Sequence, residues 1–194
     1  MPAAAPGAQK RAKRGVLERA KRNALERAKR VRLMLFDVDG VLTDGTLWYG
    51  PAGEAFKVFN VLDGHGIKLL LQSGIAVALL SGRSSPAVAA RAAELGIAHL
   101  LQGIDDKKSA FEALALRLGV AAAETGFMGD EVVDLPVLRR CGFACAPAGA
   151  HELVLANAHY VTRAAAGNGA AREVCEYLLR AQGRLKAALA GYLA

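Results

Sequence analysis

The stretch Val31-Arg32-Leu33-Met34-Leu35-Phe36, followed directly by Asp37-Val38-Asp39-Gly40, decides the fold class of this chain of 194 residues. Its apolar run has the length and composition of a buried strand, and the strand ends at an aspartate. Similar apolar runs occupy residues 75–80, 98–101, 126–128 and 142–146. Helical patterns separate them, over residues 62–72, 86–95, 107–118, 134–140 and 150–156. This alternation predicts an α/β fold in which helices flank both faces of a mainly parallel sheet.

A hairpin and a terminal helix are predicted in addition to these alternating strands and helices. Thr46-Leu47-Trp48-Tyr49 and Ala55-Phe56-Lys57-Val58-Phe59 are β-prone arms on either side of a Pro/Gly turn, which predicts a small hairpin projecting from the sheet. Trp48 and Tyr49 either pack within this hairpin or contact another subunit. Beyond Gly167-Asn168-Gly169, good helix formers predict a terminal helix over residues 170–189.

The basic residues are concentrated at the N-terminus. Residues 1–30 hold ten Lys or Arg and two Glu, a net charge of +8, whereas the other 164 residues hold 15 Lys or Arg and 16 Asp or Glu, a net charge of −1. We therefore expect a basic, partly helical extension over residues 1–30, a folded domain over 31–182 and a helix end or tail over 183–194. The near-neutral body argues against specific nucleic-acid binding, and the extension is interpreted as a solvated tail with an unspecific positive field.

Membrane and secreted classes do not fit the sequence. No stretch approaches the roughly 20 consecutive apolar residues that cross a bilayer, and the basic N-terminus lacks the apolar core of a secretory signal. The three cysteines, Cys141, Cys145 and Cys175, are odd in number and lie in apolar surroundings, unlike a disulfide framework or a zinc site. These features favour a protein of the reducing cytoplasm.

Polar side chains follow four predicted strands, at the point where each strand ends. Asp37 and Asp39 follow the first strand, Ser81 the second and Asp130 the fourth, while Lys107 begins the helix after the third. Any one of these carboxylates alone is explained by a helix N-cap. Because ligands bind outside the carboxyl ends of parallel strands, the set together predicts a site at one rim of the sheet.

The residue types at this rim suit the cleavage of a phosphate monoester. Such a substrate needs an in-line nucleophile, neutralisation of its charge and a proton for the departing oxygen. Asp37 is the candidate nucleophile, which would form an aspartyl-phosphate, and Asp39 the candidate general acid and base. Ser81 and Lys107 would bind the phosphoryl oxygens. Crowded carboxylates favour Mg²⁺, with Asp37, Asp130 and the main-chain carbonyl of Asp39 as candidate ligands.

Other polar residues leave alternatives open. Arg83 either binds an anionic substrate or caps a helix, and Arg91 either contacts substrate or faces solvent from its helix. Asp134 is expected to hold the loop around Asp130 rather than to react. His65, between two glycines, is expected to shape a turn and is left out of the catalytic set.

The motifs together resemble those of the haloacid dehalogenase superfamily. They are Asp37-Val38-Asp39-Gly40-Val41-Leu42-Thr43-Asp44-Gly45, Ser81-Gly82-Arg83, Lys107, and Gly129-Asp130 with Asp134. Within that superfamily, residues 31–182 are similar to the 3-deoxy-D-manno-octulosonate 8-phosphate phosphatases, through segments such as Phe59-Asn60-Val61-Leu62-Asp63-Gly64-His65-Gly66 and Tyr160-Val161-Thr162-Arg163.

This resemblance implies a Rossmann-like fold without a cap domain, a magnesium-dependent phosphatase, and a homotetramer whose neighbouring subunits help to close each site. It also implies a set of substrate-contact positions. They are Asp39, Asn60, Val61, Leu62, Asp63, Gly64, Lys68, Arg83, Arg91 and Lys107.

The chain departs from the family pattern at three positions. The family commonly has Arg at the place of Leu62, often has Arg at Lys68, and a relative can carry Arg at Asn168. Losing a guanidinium weakens bidentate recognition of a carboxylate. The expected reaction is hydrolysis of 3-deoxy-D-manno-octulosonate 8-phosphate in lipopolysaccharide synthesis, with a nonulosonate 9-phosphate phosphatase as the alternative. A non-catalytic binding or scaffold protein that uses the basic tail is a second alternative.

Overall fold

The computed structural model of the protein describes residues 19–51 and 53–193. Residues 1–18 of the expected basic extension therefore lie outside the described part of the chain. Strands and helices alternate along most of the chain, as predicted. In chain order the strands are β1 (Leu33–Phe36), β2 (Trp48–Gly50), β3 (Gly53–Phe56), β4 (Ala76–Leu80), β5 (His99–Leu101), β6 (Thr125–Met128), β7 (Phe143–Ala148) and β8 (Tyr160–Ala165). The helices are α1 (residues 19–28), α2 (Val61–Gln72), α3 (Pro86–Leu95), α4 (Lys107–Arg117), α5 (Leu135–Leu138), α6 (Glu152–Asn157), α7 (Ala170–Ala181) and α8 (Leu185–Leu189).

The central sheet is parallel throughout, in the order β5-β4-β1-β6-β7-β8. The strand order reverses between β1 and β6, so the crevice at their carboxyl ends is where a ligand site is expected. β2 and β3 form a separate antiparallel hairpin in which Trp48 stacks on Phe56. The α/β fold, the flanking helices and the hairpin predicted from the sequence are confirmed, and no cap domain is present among the described residues.

The hydrophobic core lies on both faces of the sheet because successive side chains of each strand point to opposite sides. In β1, Met34 and Phe36 pack with residues of α1, α2, α3 and α7, whereas Leu33 and Leu35 pack with residues of α4, α5 and α6. All four side chains are buried. An apolar run without alternation is thus typical of a strand covered on both faces, as the sequence indicated.

Two predictions at the C-terminal end need correction. The sixth strand of the sheet, β8, was not predicted, because Arg163 interrupts its apolar run and its position at the sheet edge leaves it only partly buried. The terminal helix predicted over residues 170–189 is broken into α7 and α8 at Gly183, whose φ of 70° lies in the left-handed region. Glycine adopts that conformation at little cost, so it ends helices readily.

Helix α1 packs against the folded domain. Ala24 and Ala28 are buried in the core on its side of the sheet, and Arg27 Nη1 donates to the Gly142 carbonyl at 2.8 Å. The Gln182 amide also donates to the Ala28 carbonyl at 3.2 Å. The basic extension is therefore anchored from residue 24 onward. None of the helices within residues 19–51 and 53–193 is long and apolar enough to cross a membrane.

Candidate active site

The nucleophile candidate sits where the two central strands end. Asp37 is buried directly after β1, and its backbone N–H donates to the Met128 carbonyl of β6 at 2.9 Å. Lys107, at the start of α4, places its Nζ 2.8 Å from Asp37 Oδ2 and 2.7 Å from Asp134 Oδ1. A buried ammonium between two carboxylates is paired on both sides, which offsets the cost of burying it. The structure thus brings Asp37 and Lys107 together, although 70 residues separate them.

Asp134 organises the loop that follows β6. Its Oδ1 accepts from Lys107, and its Oδ2 accepts from the backbone N–H groups of Asp130 at 3.0 Å and Glu131 at 3.3 Å. Both carboxylate oxygens are therefore occupied by protein donors. This agrees with the expectation that Asp134 holds the loop rather than reacts.

The carboxylates near Asp37 fit a divalent cation. Asp37, Asp130 and Asp134 each offer an oxygen atom, and these atoms lie within 4.8 Å of one another. Asp130 Oδ1 is buried without a hydrogen-bond partner among the described residues, so it is the carboxylate oxygen with a free place for a cation. Asp37 lies beside it and lines the same cavity, whereas Asp134 does not. A carboxylate oxygen that has no hydrogen-bond partner and lies beside a second carboxylate is a suitable ligand for a hard cation such as Mg²⁺.

Gly40 makes room for this arrangement. Its φ is 79°, and a Cβ atom built on it would overlap the Asp130 carboxylate. Only glycine combines the left-handed backbone with this close approach. The glycine of the Asp-x-Asp-Gly motif thus keeps the loop after β1 within reach of the loop after β6.

Burial and the neighbouring charges shift the pKa values of Asp37, Asp130 and Lys107. Burial, assisted by the charge of Asp134, raises the pKa of Asp37 from 3.8 to about 6, with Lys107 opposing the change. Burial and the charge of Asp37 raise the pKa of Asp130 to about 7. For Lys107, burial opposes the charged form, but Asp37 and Asp134 outweigh it and raise its pKa. Each carboxylate would regain its ordinary acidity next to a cation.

The two carboxylate oxygens of Asp39 have different surroundings. Its Oδ1 accepts from Lys57 Nζ, whereas its Oδ2 is buried with no hydrogen-bond partner among the described residues. Arg83 Nε lies 4.0 Å from that Oδ2. Arg83 Nη2 in turn donates to the Tyr49 hydroxyl at 2.8 Å and contacts Glu54 Oε2 at 3.4 Å.

The predicted rim residues line one cavity of about 300 Å³. Ser81 is buried at the end of β4, and its hydroxyl oxygen accepts from the Arg83 backbone N–H at 3.2 Å. The cavity is lined by Asp37, Asp39, Ser81, Arg83, Lys107 and Asp130, among others. All four residues predicted as catalytic, and all three predicted metal ligands, therefore meet at one place; their roles in the reaction remain predictions.

The other expected substrate contacts lie elsewhere. Asn60 caps α2 by accepting from the Leu62 N–H at 2.8 Å, and Val61 and Leu62 are exposed on the surface. Lys68 lies farther along α2, in a shallow groove with Glu94. None of these four residues lines the cavity of its own chain, and their contacts with substrate stay predictions.

Asp63, Gly64 and Arg91 have structural partners instead. Asp63 is buried and accepts from the backbone N–H groups of Gly169 at 3.1 Å and Arg172 at 2.8 Å, so it caps the N-terminus of α7. Gly64 makes room for the Arg91 guanidinium, which pairs with Glu94 at 2.7 Å. Within one chain Asp63 holds α7 rather than facing the cavity.

Two residues near the cavity were missed from the sequence. Glu54 belongs to the hairpin and contacts Arg83, and Lys57 follows the hairpin directly and contacts Asp39. The only local signal was a single lysine within the β-prone arm at residues 55–59. Its pairing with Asp39 depends on the fold of the hairpin over the rim, which no local pattern encodes.

Comparison with known proteins agrees with this geometry. A family model described as haloacid dehalogenase-like hydrolase matches residues 96–174. The chain is 48% identical over 155 residues to the 3-deoxy-D-manno-octulosonate 8-phosphate phosphatase KdsC of Escherichia coli strain K12, covering 80% of this chain and 82% of that protein. Its counterpart in Yersinia pestis is 45% identical over 158 residues, covering 81% and 84%.

Solved structures are equally similar. The Yersinia pestis phosphatase superposes with a TM-score of 0.83 and 44% identity, over 84% of this chain and 89% of that one. The Moraxella catarrhalis enzyme, in complex with a magnesium ion, a phosphate ion and a KDO molecule, superposes with a TM-score of 0.85 and 41% identity, over 87% and 97%. With Asp37, Lys107 and Asp130 gathered at the rim of the same fold, the chain belongs to the family of the 3-deoxy-D-manno-octulosonate 8-phosphate phosphatases, within the haloacid dehalogenase-like hydrolases.

Proposed function

We propose that this protein hydrolyses 3-deoxy-D-manno-octulosonate 8-phosphate to the free sugar acid and phosphate, a step of lipopolysaccharide synthesis. The observation that carries the proposal is the buried Asp37 at the switch point of the sheet, paired with Lys107 and close to Asp130. Relatives 45–48% identical over about four fifths of the chain bear this activity in their names.

The proposed reaction gives each of the predicted cavity residues a role. The Asp37 carboxylate forms a bond to phosphorus as the bond to the sugar oxygen breaks, and Asp39 gives its proton to that oxygen. Water then attacks the phosphorus of the aspartyl-phosphate, gives a proton back to Asp39 and releases phosphate from Asp37. Lys107 and Ser81 bind the phosphoryl oxygens, where negative charge accumulates. Asp37, Asp130 and the Asp39 carbonyl would hold Mg²⁺, which would supply neutralising charge at the phosphoryl group.

The activity is tested by phosphate release over a panel of sugar phosphates. We expect turnover of the eight-carbon sugar-acid phosphate in the presence of Mg²⁺ and none with excess chelator. The nine-carbon nonulosonate phosphate belongs in the same panel, because the exposed Leu62 replaces an arginine of the family. Faster turnover of the nonulosonate phosphate would replace the substrate proposed here. No turnover of any phosphate monoester would favour the non-catalytic alternative.

A homotetramer is the assembly we propose. Trp48, Tyr49, Phe56 and Val58 expose at least half of their surface on or beside the hairpin, and Val61 is 78% exposed. An apolar patch of this kind on a small protein is typical of an interface. Light scattering coupled to gel filtration tests the state, and Trp48→Glu should yield smaller species; a monomeric wild type would contradict the assembly.

The cytoplasm is the compartment that we propose. Its support is chemical, because Cys141, Cys145 and Cys175 are all buried and free, as expected in a reducing environment. Cell fractionation with antibody detection tests this proposal, and recovery from the periplasm would contradict it.

A further inference from the structure

Lys57 is a buried lysine immediately after the hairpin, and the reaction described above gives it no role. Its side chain is 2% exposed, and its ammonium group contacts Asp39 Oδ1 and Glu54 Oε2, the second at 3.0 Å. Pairing with two carboxylates offsets the cost of burying the ammonium, and one of the two pairs holds Asp39 at Oδ1.

The contact makes the two oxygens of Asp39 inequivalent. Oδ1 accepts a hydrogen bond from a cation, which disfavours a proton on that oxygen. Oδ2 is buried without a hydrogen-bond partner among the residues that the structure describes, and the Arg83 guanidinium stays 4.0 Å away. When Asp39 holds a proton, Oδ2 is therefore the oxygen that carries it.

We propose that Lys57 is a positioning residue, which fixes the Asp39 carboxylate so that Oδ2 exchanges the proton with the substrate. The inference rests on the proposed phosphatase reaction. In the first step the Oδ2–H bond breaks and a bond from that proton to the leaving oxygen forms, as the phosphoryl group passes to Asp37. In the second step an O–H bond of the attacking water breaks, and its proton returns to Oδ2.

The same contacts link the hairpin segment to Asp39 and Arg83, which both line the cavity. Glu54 binds Lys57 at 3.0 Å and Arg83 at 3.4 Å, and the Tyr49 hydroxyl accepts from Arg83 at 2.8 Å. Lys57, directly after the hairpin, thus orients the proton donor Asp39. Glu54 and Tyr49, within the hairpin, orient the anion-binding side chain of Arg83. The side chains of Lys57 and Glu54 are 2% and 15% exposed, so their mutual contact is largely shielded from solvent.

The first experiment compares leaving groups in the Lys57→Met variant. A sugar oxygen must be protonated as it departs, whereas p-nitrophenolate leaves without much help. We expect kcat on the sugar-acid phosphate to fall about 10- to 100-fold, the scale of general acid catalysis, while p-nitrophenyl phosphate loses far less. Lys57→Arg, which keeps the charge, should recover part of the loss. Lys186→Met, at an exposed lysine of α8, is the matched control and should change neither rate.

The second experiment is a double-mutant cycle with Asp39→Asn. If Lys57 acts through Asp39, Lys57→Met adds little further loss in that background. Additive losses, or equal losses on both leaving groups in a variant with an unchanged thermal midpoint, would overturn the inference. If Lys57→Met does not fold, the same cycle is run with Lys57→Arg. Wild-type enzyme that cleaves a different sugar phosphate would refute the proposed substrate alone, and the cycle would then use that substrate.

Discussion

Asp134 illustrates at the scale of single residues how a side chain outside the cavity sets the properties of those inside it. One of its oxygens holds Lys107 and the other holds the backbone of Asp130 and Glu131. Its charge also contributes to the raised pKa values of Asp37 and Asp130. Removing it changes the position of the lysine and of a metal ligand together.

Asp134→Asn should therefore lower kcat about 10- to 100-fold, because the one acceptor oxygen of asparagine cannot serve both Lys107 and the backbone of the Asp130 loop. The apparent affinity for Mg²⁺ should fall as well, since Lys107 and the Asp130 loop then compete for a single acceptor. Steady-state kinetics over a Mg²⁺ titration measures both effects. An unchanged titration midpoint would show that Asp134 does not support the loop.

The raised pKa values of Asp37 and Asp130 predict how pH and Mg²⁺ act together on stability. The folded protein binds protons at Asp37 and Asp130 more tightly than the unfolded chain does, because the pKa values of both groups are raised in the fold. Proton binding at these two groups therefore stabilises the folded state fully below about pH 4. This contribution is lost as the pH rises through the folded-state pKa values of about 6 and about 7. Mg²⁺ competes with those protons. The increase in the thermal midpoint on adding Mg²⁺ should be larger at about pH 8 than at about pH 5, and Asp130→Asn should remove most of it. Equal increases at both pH values would contradict the assignment.

At the scale of elements, the loop before α7 supports the loop after β1. Gly167 donates its backbone N–H to the Val41 carbonyl at 3.0 Å, and a Cβ atom on Gly167 would collide with the backbone at Thr43 and Asp44. Asp63 ties the same region to α2 through the N-terminus of α7. The motif that carries Asp39 therefore rests on a segment more than a hundred residues away.

Gly167→Ala tests this support against a matched control. Gly183 has a similar left-handed φ of 70°, but nothing lies within 4 Å of its added Cβ atom. Both alanine variants should lose about 1 kcal/mol of stability from backbone strain. Only Gly167→Ala should also lose turnover, about tenfold or more, because its collision displaces the catalytic loop. Equal kinetic effects in the two variants would contradict the idea.

Elements differed in how well the sequence predicted them. β1 and Asp37 were predictable because a doubly covered strand is continuously apolar and its end is marked by the motif. β8 was not, since an edge strand needs fewer apolar residues and Arg163 breaks its pattern. The contact of Lys57 with Asp39 is tertiary, so strand propensity indicated the hairpin but not the side chain that it delivers to the cavity.

At the scale of the whole molecule, the basic extension is less separate than its charge suggested. Its charge predicted a solvated tail, but Ala24 and Ala28 of α1 are core residues and Arg27 binds Gly142. Alanines among arginines and lysines form a narrow apolar face that composition alone does not reveal. The predicted boundary at residue 30 is therefore crossed by packing contacts.

Two truncations separate charge from packing. Removing residues 1–18 should leave both turnover and the thermal midpoint nearly unchanged. Removing residues 1–28 should leave turnover of the remaining folded enzyme similar but lower the midpoint by several degrees, because buried alanine contacts are lost. Thermal unfolding with parallel kinetics measures both. Loss of turnover in the shorter truncation would give the charged tail a role in the reaction.

The most direct measurement is rapid-quench mass spectrometry of the enzyme during turnover with Mg²⁺ and sugar-acid phosphate. We expect one phosphoryl group to accumulate transiently on the peptide containing Asp37, and Asp37→Asn to show neither this adduct nor phosphate release. Phosphate release that persists in Asp37→Asn, or a phosphoryl group carried by another residue, would show that Asp37 is not the nucleophile.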